Sequence, residues 1–381
     1  MSKEIFKRAF TKNTDAQSAL KDIADSLEAK NSKLCVLFIS NSYDMEGLSE
    51  YVREYFGENV IACTTAGEIC SEGYGENTIS GMAFHGENFV IDTVDFKDLK
   101  ESCDFGKISA LKETYLNIKD QHLKQIKDGK SFSLLLVDGL SVKEEQLAGI
   151  IASSIEDTPL IGGSAGDGLA FQKTYVFIDG KFVQNAATLT FITTNLPFEI
   201  FKIQHFKETD KKFVITESDP ETRTVLEIDG EPAAEAYSKM LGVDISDFTA
   251  NTFSENPLML KIGDDYFVRS IQKVNEDKSL TFYCAIDDGL VLTLGSRKNI
   301  VENLDRLFTS LKGKLGEVNQ SLLFECILRK LEVNSLSPKE REKSMELLRS
   351  NNAMGFHTYG EQYGGVHINQ TITGVAFGKA S

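Results

Sequence analysis

The chain has 381 residues, with 41 Lys and Arg against 57 Asp and Glu and a formal charge of −16. That length is more than one hydrophobic core usually serves and predicts two domains. The acidity argues against nucleic acid, whose phosphates need Lys and Arg to displace counterions, and against a polybasic hold on anionic membranes. The longest apolar runs, such as 34–39, fall well short of the ~20 residues that span a bilayer. The N-terminal stretch has no apolar signal core. Six cysteines without a C-x-x-C read as reduced thiols of a cytoplasmic protein, not as a disulfide framework.

From the N-terminus, Ala16, Ala19, Leu20, Ile23, Ala24 and Leu27 recur with helical spacing and predict an amphipathic helix, followed by a buried strand "LCVLFIS" at 34–40. Leu48, Tyr51, Val52, Tyr55 and Phe56 mark a second helix before "VIACTTAGE" and the strand "NTISGMAF" at 77–84. The order then restarts. Ile108, Leu111, Tyr115, Ile118 and Ile126 predict a helix closed by Gly129, followed by a strand at 133–139. A Ser141/Glu144 capping box opens a helix bearing Leu147, Ile150, Ile151 and Ile155. "PLIGGSAGDG", an Asp179-Gly180 hairpin turn and a strand at 183–192 complete this second round.

Residues 198–296 alternate short strands with turns, interrupted by one helix between Glu231-Pro232 and Gly242. A third round starts with Ile300, Leu304, Leu307, Phe308 and Leu311 and continues as a strand at 321–329, which takes in Cys326 and Arg329. Its next helix opens Ser337-Pro338-Lys339-Glu340, a serine cap with proline at the first position and glutamate at the third. "GFHTYGEQ" and "NQTITGVAFG" end it.

The three rounds (14–91, 106–192 and 297–378) share more than order. Thr78-Ile79-Ser80-Gly81-Met82-Ala83-Phe84 and Thr371-Ile372-Thr373-Gly374-Val375-Ala376-Phe377 agree at five of seven positions, each ending 16 residues after a glutamate. Each round also carries a hydroxyl–x–Gly–acid tetrapeptide: Thr65-Ala66-Gly67-Glu68, Ser164-Ala165-Gly166-Asp167 and Thr358-Tyr359-Gly360-Glu361. The fold class is therefore α/β (α+β). Mixed sheets with flanking helices are built from three related helix–strand–helix–strand–loop–strand units, plus a β-rich segment in the C-terminal half. The tetrapeptides read either as local architecture, with glycine permitting a positive φ, or as loops converging on a cleft.

Other chemistries fit less well. Gly163-x-x-Gly166-x-Gly168 is not the dinucleotide order, and "LAFQKTYVFI" after it reads as strand where a helix would have to start. "KQIKDGKS" has Lys124 in place of the first glycine of a phosphate loop. Cys326 with His357 or His367 is a thiol-enzyme pairing that spacing alone does not support. His357, Glu361 and His367 match no zinc spacing. No cofactor, metal or catalytic residue is expected. Arg269 and Arg329, each among apolar neighbours in a strand-like run, must be paired or must bind an anion.

In motif and in order, "IACTTAGEI", "LIGGSAGDGLAF", "VLEIDGEPAAEAY", "DDYFVRSI", "LLFECILRKLE", "GFHTYGEQ" and "HINQTITGVAFG" resemble the FIST domain proteins. The resemblance implies a FIST N-terminal domain over 30–222, containing two α/β units, and a FIST C-terminal domain over 223–378. It implies a sensory, ligand-binding module with no output domain of its own, taking a small molecule such as an amino acid or small carboxylate and signalling through a protein partner. The alternatives are an adaptor presenting a protein-binding surface, since the family includes members within ubiquitin ligases, and, third, an uncharacterised thiol enzyme. For a zwitterion, Arg269 and Arg329 would clamp the carboxylate, while Glu68, Asp167 and Glu361 would receive the ammonium. Thr65, Ser164, Tyr359 and Asn369 would complete the site.

Overall fold

The computed structural model describes residues 4–103, 106, 108–155 and 157–379, so that Lys107 and Glu156 of the second round lie outside it. The first unit comprises β1 (Phe6–Thr11), α1 (Ala16–Leu27), β2 (Leu34–Ser40), α2 (Met45–Phe56), β3 (Val60–Thr65), a short hairpin of β4 (Glu68–Cys70) and β5 (Gly73–Gly75), and β6 (Ile79–Phe84). The second repeats this as β7 (Phe89–Phe96), a short α3 (Leu99–Ser102), α4 (Ile108–Gln125), β8 (Lys130–Val137), α5 (Glu144–Ser154), β9 (Leu160–Ser164), hairpin β10 (Val176–Ile178) and β11 (Lys181–Val183), and β12 (Ala187–Thr194).

The third unit opens with β13 (Phe198–Gln204) and is then interrupted by β14 (Phe206–Asp219), β15 (Thr224–Ile228), β16 (Glu231–Pro232), α6 (Ala233–Leu241), α7 (Ala250–Glu255), β17 (Leu258–Ile262), β18 (Asp265–Arg269), β19 (Ile271–Val274), β20 (Leu280–Phe282) and β21 (Val291–Arg297). It resumes with α8 (Ile300–Leu315), β22 (Gln320–Cys326), α9 (Ile327–Ser335), α10 (Pro338–Ser350), β23 (Ala353–Thr358), hairpin β24 (Glu361–Tyr363) and β25 (Val366–Ile368), and β26 (Thr371–Phe377).

Within the units the strand orders are β1-β6-β2-β3, β7-β12-β8-β9 and β13-β26-β22-β23. The middle pairs β2/β3, β8/β9 and β22/β23 are parallel. Each sheet is then extended by a hairpin borrowed from another unit. β10 joins β3 at Val176–Cys63, β24 joins β9 at Glu361–Gly163, and β4 joins β23 at Glu68–Phe356. The exchange closes into a ring with pseudo-threefold symmetry. Hairpins of three-residue strands are too short to be stable alone, and by docking on a neighbour they cover an edge that would otherwise stay unpaired.

Alternation along the strands explains the layers. Along β2, Val36 and Phe38 point into a cluster shared by all three sheets, while Cys35, Leu37 and Ile39 meet α1 and α2. Helices α4 and α5 cover the second sheet in the same way, and α8 and α10 the third. At the centre, the closing-strand phenylalanines Phe84 and Phe377 meet edge-to-face at 6.0 Å. Burying each stabilises the fold by roughly 1.5–3 kcal/mol. The interrupting segment, residues 206–297, forms a separate sheet in the order β18-β17-β21-β14-β15-β20-β19, with a core around Phe213, Tyr237 and Leu258.

Several local expectations change. The strand foreseen at 321–329 ends at Cys326, and Arg329 lies on α9. The 198–296 block holds α7 as well as α6, a short helix held by a Thr249/Thr252 capping box. Helix α5 begins at Glu144 without a side-chain cap, because Ser141 accepts from Lys143 N instead. Helix α4 ends before Gly129, and the left-handed residue there is Asp128 at φ 61°. Of "LAFQKTYVFI" only 176–178 is strand. The Asp179-Gly180 turn has both residues at positive φ, 49° and 75°, as a type I′ hairpin requires. The Ser337/Glu340 capping box forms as read.

Candidate functional site

The three tetrapeptides do converge. Ala66 N donates to the carbonyl of His357 at 2.9 Å, Gly166 N to that of Thr64 at 3.0 Å, and Tyr359 N to that of Ser164 at 3.2 Å. Each loop thus closes on a strand of a different unit. Gly166 is required for this approach, since a β-carbon there would lie 2.9 Å from Ala66 N.

In the first and third units the acid turns inward. Thr65 donates to Glu68, which also accepts from Thr78 Oγ1 at 2.6 Å and Thr78 N at 3.3 Å. Glu361 repeats the pattern with Thr358 and with both the hydroxyl and N–H of Thr371, the last at 3.2 Å. Both glutamates are fully buried. Burial raises Glu68 to about 7 and Glu361 to about 8, against the opposing pull of the threonine hydrogen bonds.

The second unit departs from this scheme. Counting back nine residues from the left-handed Asn77, Gln370 and Asn185 gives Glu68, Glu361 and Val176. The insertion that displaces the acid makes a longer loop after β9. Asp167 organises this loop by accepting from the N–H groups of Phe171, Gln172 and Lys173, each at 2.8 Å, and from the hydroxyl of Tyr359. Burial and the Asp167 carboxylate push the Tyr359 phenol well up. Ser164 accepts from Gln362 at 2.9 Å, and Asn369 donates to the Tyr359 carbonyl at 3.5 Å.

The arginines are paired apart from these acids. Arg269, at the end of β18, holds Glu145 of α5 at 3.0 Å. Beside it Arg223 holds Glu144 at 2.8 Å, so two ion pairs join the inserted sheet to the second unit. Arg329 donates to Glu325 at 3.1 Å and to His205 at 2.7 Å, all three buried. Burial, reinforced by Arg329 and opposed by Glu332, depresses His205 to about 4. Thus Thr65, Glu68, Ser164, Tyr359, Glu361 and Asn369 gather around the loop junction, Arg269 sits at the seam with the insert, and Arg329 lies behind β23.

Solvent reaches the assembly elsewhere. A cleft of about 730 Å³ opens at the carboxyl end of β2, between the start of α2 and the loop organised by Asp167. Its wall combines Arg53, Lys173 and Lys181 with Asp44, Glu46 and Glu50, and apolar surface from Tyr43, Met45, Tyr175 and Phe182. Asn41 bridges its floor, donating to the Asp167 carbonyl at 3.0 Å. Of the residues foreseen from sequence, Asp167 lines this cleft. Asn41, Arg53 and Lys181 were missed, although carboxyl ends of α/β strands are where ligands usually lie, and "NSYD" directly after β2 is such a position.

Interlocked α/β units with a cleft at the end of β2 and a β-rich insert docked alongside define a mixed α/β architecture. The chain belongs to the FIST family: residues 33–231 match the FIST N domain and residues 233–364 the FIST C domain. FIST domains are associated with sensory and ligand-binding roles in signal transduction. An uncharacterized protein of Methanocaldococcus jannaschii is similar, 22% identical over 359 residues that span 84% of this chain and 68% of the relative. No helix among the described residues is long and apolar enough to cross a membrane.

Proposed function

We propose that the protein is a sensory module that binds a small zwitterion or carboxylate, an amino acid being the simplest, and passes its occupancy to a partner. The observation that carries this is the cleft at the end of β2, whose lining combines cations, carboxylates and apolar side chains. Its volume lies within the range of small-molecule sites. Arg53 and Lys181 suit a carboxylate, and Glu46 and Glu50 an ammonium group. Asp167 and, through it, Tyr359 would sense the bound molecule, while Glu68 and Glu361 hold the loops that position the wall.

The role is binding without chemistry of its own. Cys326, the thiol considered for catalysis, is 1% exposed, and burial raises it well above its ordinary value, which disfavours the thiolate. A cytoplasmic setting is supported by six cysteines with no disulfide among the described residues. Saturation-transfer NMR with pooled amino acids and three- to five-carbon carboxylates tests the reading. Transfer to one class, lost in Arg53→Ala, is expected. Transfer that persists in this variant, or none at millimolar concentration, would count against the cleft.

A further inference from the structure

Taking the cleft at the end of β2 as the ligand site, we propose that the group it holds at Glu46 is a guanidinium, so that the ligand is arginine or a guanidino acid of similar length. The second unit has a counterpart of this cleft, and there the chain supplies the occupant itself.

The two places correspond residue by residue. Leu48, Val52 and Phe56 seat α2 on its sheet as Leu147, Ile151 and Ile155 seat α5. This sets Glu46 against Glu145, Met45 against Glu144 and Arg53 against Ala152. In the borrowed hairpins, Phe182 of β11 matches His367 of β25, and Gly180 matches Gly365. A β-carbon on Gly180 would lie 2.5 Å from Arg53 Cδ, and one on Gly365 3.1 Å from Ala152 Cβ. Each hairpin turn therefore meets the same position of its helix.

In the second unit the insert reaches into this place. Arg269 Nη1 donates to both carboxylate oxygens of Glu145, at 3.0 and 3.2 Å, and to the His367 carbonyl at 3.4 Å. Arg223 donates to Glu144 at 2.8 Å. In the first unit Glu46 and Phe182 line an open cleft instead. Neither Glu46 nor Glu50 has an ion-pair partner among the described residues. Met45 replaces Glu144, so the first unit keeps an acid for one of the two guanidinium groups.

The other charges suit the rest of such a molecule. Glu50 lies one turn beyond Glu46, about 6 Å along the axis, where the second unit has Gly149, and Arg53 follows on the same face. Glutamate, glutamate, arginine is the order that a guanidinium, an α-ammonium and an α-carboxylate require. Lys173 and Lys181 also line the cleft, from the loop and the hairpin, and favour a ligand that carries a carboxylate. Asp44 is engaged by the first N–H groups of α2, and Asp167 by its own loop.

Isothermal titration calorimetry with L-arginine and L-citrulline, its uncharged isostere, tests the assignment on the parent, Glu46→Gln and Arg53→Ala, with melting curves to verify folding. The parent should bind arginine at least tenfold tighter than citrulline, and Glu46→Gln should reduce that preference below threefold. The blocked peptide Ac-Gly-Arg-Gly-NH2 should bind at least tenfold more weakly than free arginine; equal binding would keep the guanidinium and overturn the free amino acid as its source. Arginine binding that Arg53→Ala abolishes and Glu46→Gln leaves unchanged would overturn the guanidinium and keep the cleft, as would a cleft that takes leucine or glutamate and refuses arginine. Arginine binding indifferent to both substitutions, or no amino acid bound at millimolar concentration, would overturn the cleft as well.

Discussion

Glu361 offers a test in which the sign of the effect decides the outcome. Its carboxyl group is fully buried among Thr358, Thr371 and the Thr371 N–H, and burial raises it from 4.5 to about 8. In the unfolded chain the group loses its proton near 4.5, whereas the folded chain keeps it until about 8. Its contribution to stability is therefore complete below pH 4.5 and is lost as the pH rises through 8. At about 1.4 kcal/mol per pH unit, the difference amounts to roughly 5 kcal/mol. Glu361→Gln keeps the shape and removes the titration. Urea unfolding at pH 5, 7 and 9 should find the variant within about 1 kcal/mol of the parent at pH 5, with the balance moving in its favour at pH 9. Buried His357 and His367, held neutral by burial, act with the opposite sign. They are common to both proteins and cancel in the difference. A pH-independent gap, or one widening in favour of the parent at pH 9, would refute the reasoning.

Arg329→Met should leave Glu325 as an unpaired buried carboxylate and cost roughly 3–5 kcal/mol; a denaturant midpoint unchanged at constant m-value would contradict that pairing. Gly360→Ala places a methyl into the ring of His367 and should cost about 1–3 kcal/mol. Gly149→Ala, on α5 with no atom within 4 Å of the added carbon, should be neutral or stabilising, and equal melting shifts for the two would dismiss the steric account. Cys326→Ser should keep the loops and any ligand binding, and the native Cys326 should resist thiol reagents until the protein unfolds. Rapid labelling would reopen a catalytic reading.

The repeat was legible because the closing strands kept Thr, Ile, Gly, Ala and Phe in register, and α1, β2 and α2 because their periods were clean. Arg329 was misplaced because the run before it, "LLFECIL", is apolar on both sides of Glu325, and a buried strand that passes directly into a buried helix leaves no change of period at the join. The hairpin exchange was invisible for a different reason. Strands of three residues carry no periodicity, and nothing local states which edge they will join. The interruption of the third unit between β13 and α8 was hidden likewise, since β13 reads as one more strand of the insert although it pairs with β26. The second tetrapeptide resembled the others in letters while its loop had grown. Val176 took the place of the acid, and Asp167 was freed to cap the loop and line the cleft. Glu145 and His205 lie far from Arg269 and Arg329 in sequence, and Glu325 is four residues from an Arg329 whose helix was read as strand, so charge pairing could be demanded but not assigned.

The central claim is that the small molecule sits in the cleft at the end of β2. Its most direct test is a thermal-shift comparison of the parent, Arg53→Ala and Glu361→Gln against the twenty amino acids and small carboxylates. At a hundredfold excess over Kd, binding to the native state contributes about 2.7 kcal/mol, enough to read as a shift of several degrees. The same compounds should stabilise the parent and Glu361→Gln, and none should stabilise Arg53→Ala. Stabilisation retained in Arg53→Ala but abolished in Glu361→Gln would move the site to the buried loops and contradict it.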